Sequence, residues 1–182
     1  MTTSPGPVRE TAATTDDAAL TFRGVDHVSL TVTDLKVSAK FYTQVLGFTV
    51  VLDFGYGLVC MHKTTGFMLS LIRHPDGTGT RFTQRQTGLD HLGLTARNKA
   101  ELLGWERRLR ELDVEFTPVR DSELGHHLNF RDPDGIALEL YAPNDRFAAA
   151  LGELRSRKFS DEEVLDVAEQ LGLGAYVARR SS

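Results

Sequence analysis

Six histidines stand among 182 residues, and their placing suggests chemistry. His27 and His91 hold the same position in two copies of one stretch. The first copy is Gly24-Val25-Asp26-His27-Val28-Ser29-Leu30-Thr31-Val32, and the second is Gly88-Leu89-Asp90-His91-Leu92-Gly93-Leu94-Thr95-Ala96. A neutral imidazole can bind a metal or move a proton near neutral pH. A lone strand histidine more often meets solvent or a hydrogen bond; two at repeat-equivalent places point to a shared task. Glu139 adds to the case. It lies in the apolar run Ile136 to Tyr141, where an inward carboxylate is costly unless it is paired or metal-bound. His126 and His127 sit together on the preceding strand-like run, and His74 follows the first copy's last strand.

The elements that must carry these residues also repeat. Residues 23 to 33 alternate, with Val28, Leu30 and Val32 on one side and His27, Ser29 and Thr31 on the other, as in a half-buried strand. Asp34 stands at a helix N-cap position before Leu35 to Leu46, and Gly47 supplies a stop. Strands are expected over Phe48–Phe54, Leu58–Lys63 and Phe67–Arg73. Residues 74 to 87 read as a linker. The second copy follows the same order: strand Leu89–Ala96, a helix over Lys99–Leu112 capped by Asn98, then strands Val114–Val119, His126–Arg131 and Ile136–Tyr141. Asp132-Pro133-Asp134-Gly135 is a strong hairpin turn. The fold class is therefore α+β: two βαβββ modules, residues 22–73 and 88–143. A helical extension over 144–182 follows, its second helix opened by a Ser160/Glu163 capping box. Residues 1–21 read as a disordered tail.

Composition limits the partners. A formal charge of −4 and no basic run give no reason to expect nucleic acid. No apolar stretch approaches the ~20 residues that span a bilayer, so no membrane partner is expected. The single cysteine, Cys60, excludes an internal disulfide and fits a cytoplasmic location. It reads as a core filler rather than a nucleophile.

The repeated module, with a histidine after Gly-x-Asp on each first strand, resembles the vicinal-oxygen-chelate superfamily of glyoxalases, bleomycin-resistance proteins, fosfomycin-resistance enzymes and extradiol dioxygenases. Two stretches carry the likeness further: Lys40-Phe41-Tyr42-Thr43-Gln44-Val45-Leu46-Gly47-Phe48, and Phe130-Arg131-Asp132-Pro133-Asp134-Gly135-Ile136-Ala137-Leu138-Glu139-Leu140. The resemblance covers roughly residues 23 to 143. It implies a cup-shaped mixed sheet with a metal on its floor, held from the first and last strands of each module. Carried onto this chain, those positions are His27, Ser70, His91 and Glu139. Ser70 is a weak ligand, so the implied set is His27, His91 and Glu139, with open positions for substrate. That triad favours Fe(II); Mn(II), Co(II), Ni(II) or Zn(II) would also fit.

Around the triad, His127 is the preferred proton-transfer group, with His126 and His74 as other catalytic candidates. Ser70, Asn129, Tyr141, Met68, Ile72 and Phe54 are the candidate substrate contacts. Asp26 and Asp90 are expected on the opposite face, in turn or strand-edge hydrogen bonds. The stretch from Gly125 to Gly135 is similar to the extradiol signature, but Asn129 replaces its acidic tyrosine. The expected function is a mononuclear metal enzyme acting on a small aromatic or enolic molecule through vicinal oxygens. An oxygenase using dioxygen is favoured. The alternatives are a redox-neutral lyase, isomerase, epimerase or epoxide-opening enzyme, and a non-catalytic drug-binding protein. The resemblance also implies a homodimer, in which the modules pair within one chain or swap between two.

Overall fold

Two four-stranded sheets of identical topology carry the histidines, and a computed structural model of the chain describes residues 24–173. The tail expected over residues 1–21 lies outside the described residues, as does the end of the extension. The first module runs β1 (His27–Thr31), α1 (Leu35–Gln44), β2 (Phe48–Asp53), β3 (Gly57–His62) and β4 (Met68–Ile72). The second runs β5 (Leu92–Thr95), α2 (Lys99–Glu111), β6 (Arg120–Asp121), β7 (Gly125–Arg131) and β8 (Ala137–Pro143). Strand order is β1-β4-β3-β2 in one sheet and β5-β8-β7-β6 in the other. In each, the first strand runs parallel to the last.

Local chemistry sets the helix starts. The Asp34 carboxylate accepts the Lys36 and Val37 amides, and Asn98 accepts that of Glu101. Each fills donors that a helix N-terminus leaves orphaned. One expected strand is largely missing. Over Val114–Val119 only Phe116 bridges, to Phe130, and the ladder resumes as the two-residue β6. Pro118 has no amide to give, and the Val119 amide donates instead to the Glu106 carboxylate on α2 at 3.0 Å.

Both modules contribute to one core. Leu30, Phe41, Tyr42, Leu69 and Leu71 from the first join Leu102, Leu109, Leu128, Phe130 and Leu138 from the second. Polar bonds cross the same boundary. The Arg108 guanidinium donates to the Gln44 and Val45 carbonyls, and Thr33 donates its amide and hydroxyl to Asp134. The linker closes over this seam: the Phe82 amide donates to the Asp134 carbonyl at 2.9 Å. Gly135 turns there at φ 81°, where a Cβ would strike Arg81.

The extension forms α3 (Asp145–Ser156) and α4 (Asp161–Ala168), and the capping box between Ser160 and Glu163 is present. Phe147 of α3 packs its ring 6.4 Å from Tyr141 of β8, which answers where that helix's apolar side goes. Among the described residues no helix is long and apolar enough to cross a membrane.

A buried carboxylate lies on the seam. Asp132 is 3 % exposed; its Oδ1 accepts the Asp134 and Ile136 amides and its Oδ2 accepts the Tyr42 hydroxyl. Burial outweighs those donors and pushes its pKa up to about 6. The native state then keeps a proton that the unfolded chain releases near pH 4, so this group's contribution to stability falls as pH rises through 6. Wild type should lose up to about 3 kcal/mol relative to Asp132→Asn between pH 4 and 7, read from urea midpoints at each pH. A wild-type to variant difference that stays flat with pH would contradict this.

Candidate metal centre

Register decides what the histidines face. In the parallel β1–β4 pair, His27 lies opposite Met68, Ser29 opposite Ser70 and Thr31 opposite Ile72. In β5–β8, Gly93 lies opposite Glu139 and Thr95 opposite Tyr141. Ser70 and Glu139 therefore occupy equivalent places, each across from the residue two beyond its histidine. Across β7, Asn129 lies opposite Glu139 and His127 opposite Tyr141, so these four share one face.

On the second module the groups converge. His91 Nε2 lies 3.5 Å from Glu139 Oε2, and His127 Nδ1 lies 2.8 Å from Glu139 Oε1. The Glu139 side chain is 14 % exposed and that of His91 44 %, which places the pair on a reachable floor. Their nitrogen and oxygen donors could hold a divalent ion between them. The Tyr141 hydroxyl donates to the Leu124 carbonyl at 2.9 Å, and its ring centroid lies 4.9 Å from that of His127. Burial, and then the Glu139 charge, raise the phenol's pKa above its ordinary value.

His27 does not join them. It stands on the other sheet and bonds Asp26. Among the described residues no three His, Cys, Asp or Glu side chains gather closely enough to hold an ion. On the first module, His27, Ser70, Met68 and Ile72 share one face. Phe54 stacks on Tyr56 near the β2–β3 turn and is 54 % exposed; its amide donates to the Gly57 carbonyl, and Gly57 pairs with Ile72, so it lies at the end of the face that carries Ser70 and Ile72. His126 turns from the Glu139 face: its Nδ1 lies 2.7 Å from Asp121, which also pairs with Lys99. Its expected catalytic role has no support in this placing. His74 lines a cleft of about 710 Å³ under the linker with Ser29, Thr31 and Arg73, and neither His91 nor Glu139 lines that cleft. Cys60 is fully buried, and burial raises its thiol's pKa, as suits a core filler.

Two residues take a part that strand alternation did not foretell. Asp26 lies 2.8 Å from His27 Nδ1, and Asp90 lies 2.7 Å from His91 Nδ1. The expectation that they serve only turns and strand edges is corrected. Both precede their strand's first ladder residue, where alternation has not begun, and Gly24 and Gly88 before them take positive φ. A carboxylate on Nδ1 fixes the ring so that the Nε2 lone pair is free for an ion. The signal was in the repeat itself, because the aspartate recurs with the histidine.

A pair of sheets of this topology, each built from one βαβββ module, defines a class of small two-module α+β proteins. The profile of the glyoxalase/bleomycin resistance protein/dioxygenase superfamily matches residues 24–140, and the chain belongs to that superfamily. A glyoxalase/bleomycin resistance protein/dioxygenase domain from Frankia sp. EAN1pec is 32 % identical. Its match spans 68 % of this chain and all of that one, with a TM-score of 0.63. An uncharacterised Bacillus subtilis protein, YwkD, is 26 % identical over 126 residues, 65 % of this chain and 96 % of its own. The fosfomycin-resistance protein FosX of Listeria monocytogenes, solved as a point mutant with Mn(II) and 1S,2S-dihydroxypropylphosphonic acid, is 20 % identical. Its TM-score is 0.56, over 70 % of this chain and 95 % of that one, and it shares the fold.

Replacing Asp90 with alanine frees the His91 ring to rotate. Its affinity for Mn(II), measured by titration calorimetry, should fall by about tenfold or more, and Asp26→Ala should do the same through His27. Unchanged affinity in both variants would remove the aspartates from the centre.

Proposed function

We propose that the protein is a mononuclear divalent-metal enzyme that acts on a small molecule through two neighbouring oxygens. It works as a homodimer, with His27 of one copy meeting His91 and Glu139 of the other. The observation that carries this reading is the separation of the half-sites. The modules spend their apolar faces on each other within one chain, which turns the two histidine faces outward. On the sheet face that carries His27, Leu52 and Met61 remain 52 % and 36 % exposed, an apolar surface that a second copy's sheet would cover.

Two imidazoles and one carboxylate suit Fe(II), with Mn(II), Co(II), Ni(II) and Zn(II) as other occupants. A bound ion would supply Lewis acidity and, as iron, a route to dioxygen chemistry. The chain's own residues do the rest. Asp26 and Asp90 aim the rings, Glu139 supplies the negative charge, and Asn129 offers its amide to a substrate oxygen beside Glu139. Met68 and Ile72 would give the floor an apolar wall for the carbon skeleton. These features favour an aromatic or enolic substrate and an oxygenase.

A redox-neutral reaction, such as epoxide opening or isomerisation, is favoured by a different observation. No free phenol acid stands over the centre among the described residues: Tyr141 is committed to the Leu124 carbonyl, and Asn129 occupies the place where the extradiol signature has tyrosine. The Mn(II) and vicinal diol bound by FosX fit this second chemistry. The two readings part on oxygen uptake. Fe(II)-loaded protein that consumes oxygen with catechols or enols supports the first; Mn(II)-dependent turnover without oxygen supports the second.

The assembly has its own test. His27→Ala and His91→Ala should each abolish stoichiometric metal binding. After unfolding and refolding together, the mixture should regain about a quarter of the wild-type sites, because only mixed dimers hold one complete set. If both half-sites served one chain, mixing would restore none.

A further inference from the structure

The contacts that hold Glu139 extend past His127 to the surface. Ser122 lies in the turn between β6 and β7, and its Oγ is 2.8 Å from His127 Nε2. The other ring nitrogen, Nδ1, is 2.8 Å from Glu139 Oε1. A carboxylate oxygen has no hydrogen to give, so Nδ1 carries the proton and donates it. In the neutral ring Nε2 is then an acceptor, and the Ser122 hydroxyl is its donor. The Gly125 carbonyl, at 3.1 Å, competes for that hydroxyl hydrogen but is further away.

The serine is fixed in turn by the backbone. Its Oγ accepts the Gly125 amide at 3.2 Å, and its own amide donates to the Gly125 carbonyl at 2.8 Å. Residue 125 must be glycine for this turn to sit on β8, since a Cβ there would come within 2.3 Å of the Ala142 carbonyl oxygen. Tyr141 packs against the imidazole, so the ring is held by a serine, a carboxylate and an aromatic at once.

We propose that Ser122 and His127 are positioning residues for the carboxylate. Glu139 sets the imidazole's tautomer and Ser122 its rotamer; His127 occupies Oε1, and Oε2, the oxygen facing His91, is left as the single donor to an ion. Without the hydroxyl, the ring loses its anchor at Nε2 and is free to turn about χ2. A flipped ring would set its Cδ2–H against the carboxylate, and Glu139 would lose its fixed orientation. This proposal rests on the metal-centre reading above.

Mn(II) affinity of the full-length protein, by titration calorimetry, tests it. Ser122→Ala should bind about tenfold more weakly. Ser122→Thr, which keeps the hydroxyl, should recover most of that loss. In a His127→Ala background the Ser122→Ala change should add nothing, because the serine acts through the imidazole. Melting temperature without metal should match wild type, since Ser122 is exposed and outside the core. Wild-type affinity in Ser122→Ala, or a loss that adds to that of His127→Ala, would overturn the relay and leave the metal centre standing. Wild-type protein that takes up no Mn(II) or Fe(II) would overturn the centre and the relay together.

Discussion

The parallel pairing of the first strand with the last fixes everything downstream in each module. Side chains alternate across a strand, so a slip of one residue would send His91, Glu139, Asn129 and Tyr141 to opposite sides. The Gly93–Glu139 register keeps them on one side. Such a pair needs a crossover, and α1 and α2 provide the packing that holds it. Their caps at Asp34 and Asn98 are therefore part of the site's precision, though neither residue comes near it.

The single core then determines what one chain can and cannot assemble. Burying the apolar faces of both modules against each other leaves the histidine faces outward, each with part of the proposed ligand set. Bonds at the seam reinforce that choice. Arg108 spans two carbonyls at the end of α1, and Tyr42 reaches the buried Asp132 in the last hairpin. Turning His27 toward Glu139 within the same chain would mean giving up that core. A second copy reaches the same end without opening either module, which is why the proposed dimer follows from packing energetics rather than from the ligands.

Much of this was legible in the residues. The repeated Gly-x-Asp-His stretch gave the modules, the polar alternation gave the outward face of β1, and the resemblance paired Ser70 with Glu139 as last-strand positions, which stand at equivalent places in the two registers. Signals fail where a side chain overrides a backbone pattern. Val114–Val119 has the composition of a strand, but Pro118 and the Glu106 carboxylate break the ladder. Alternation would send Asp26 and Asp90 to the far face, but it starts only after them. Ser122 is invisible for a simpler reason: nothing in its neighbourhood distinguishes it until β6 and β7 fold back and bring it to His127.

The divergence of the two last strands has a physical counterpart across the ladder. In the first module Ser70 faces Ser29, two small hydroxyl side chains. In the second, Glu139 faces Gly93, which has no side chain at all. A Cβ built on Gly93 would stand 3.8 Å from Glu139 Oε2, in ordinary contact, so anything larger would press on the oxygen that faces His91. The longer acid and the missing side chain therefore belong together. A Glu placed at Ser70 would meet Ser29 instead of open space and would lack a counterpart of His127 to hold its second oxygen. The duplicated frame thus carries one carboxylate at this position per pair of modules, and it lies where the opposite strand makes room for it.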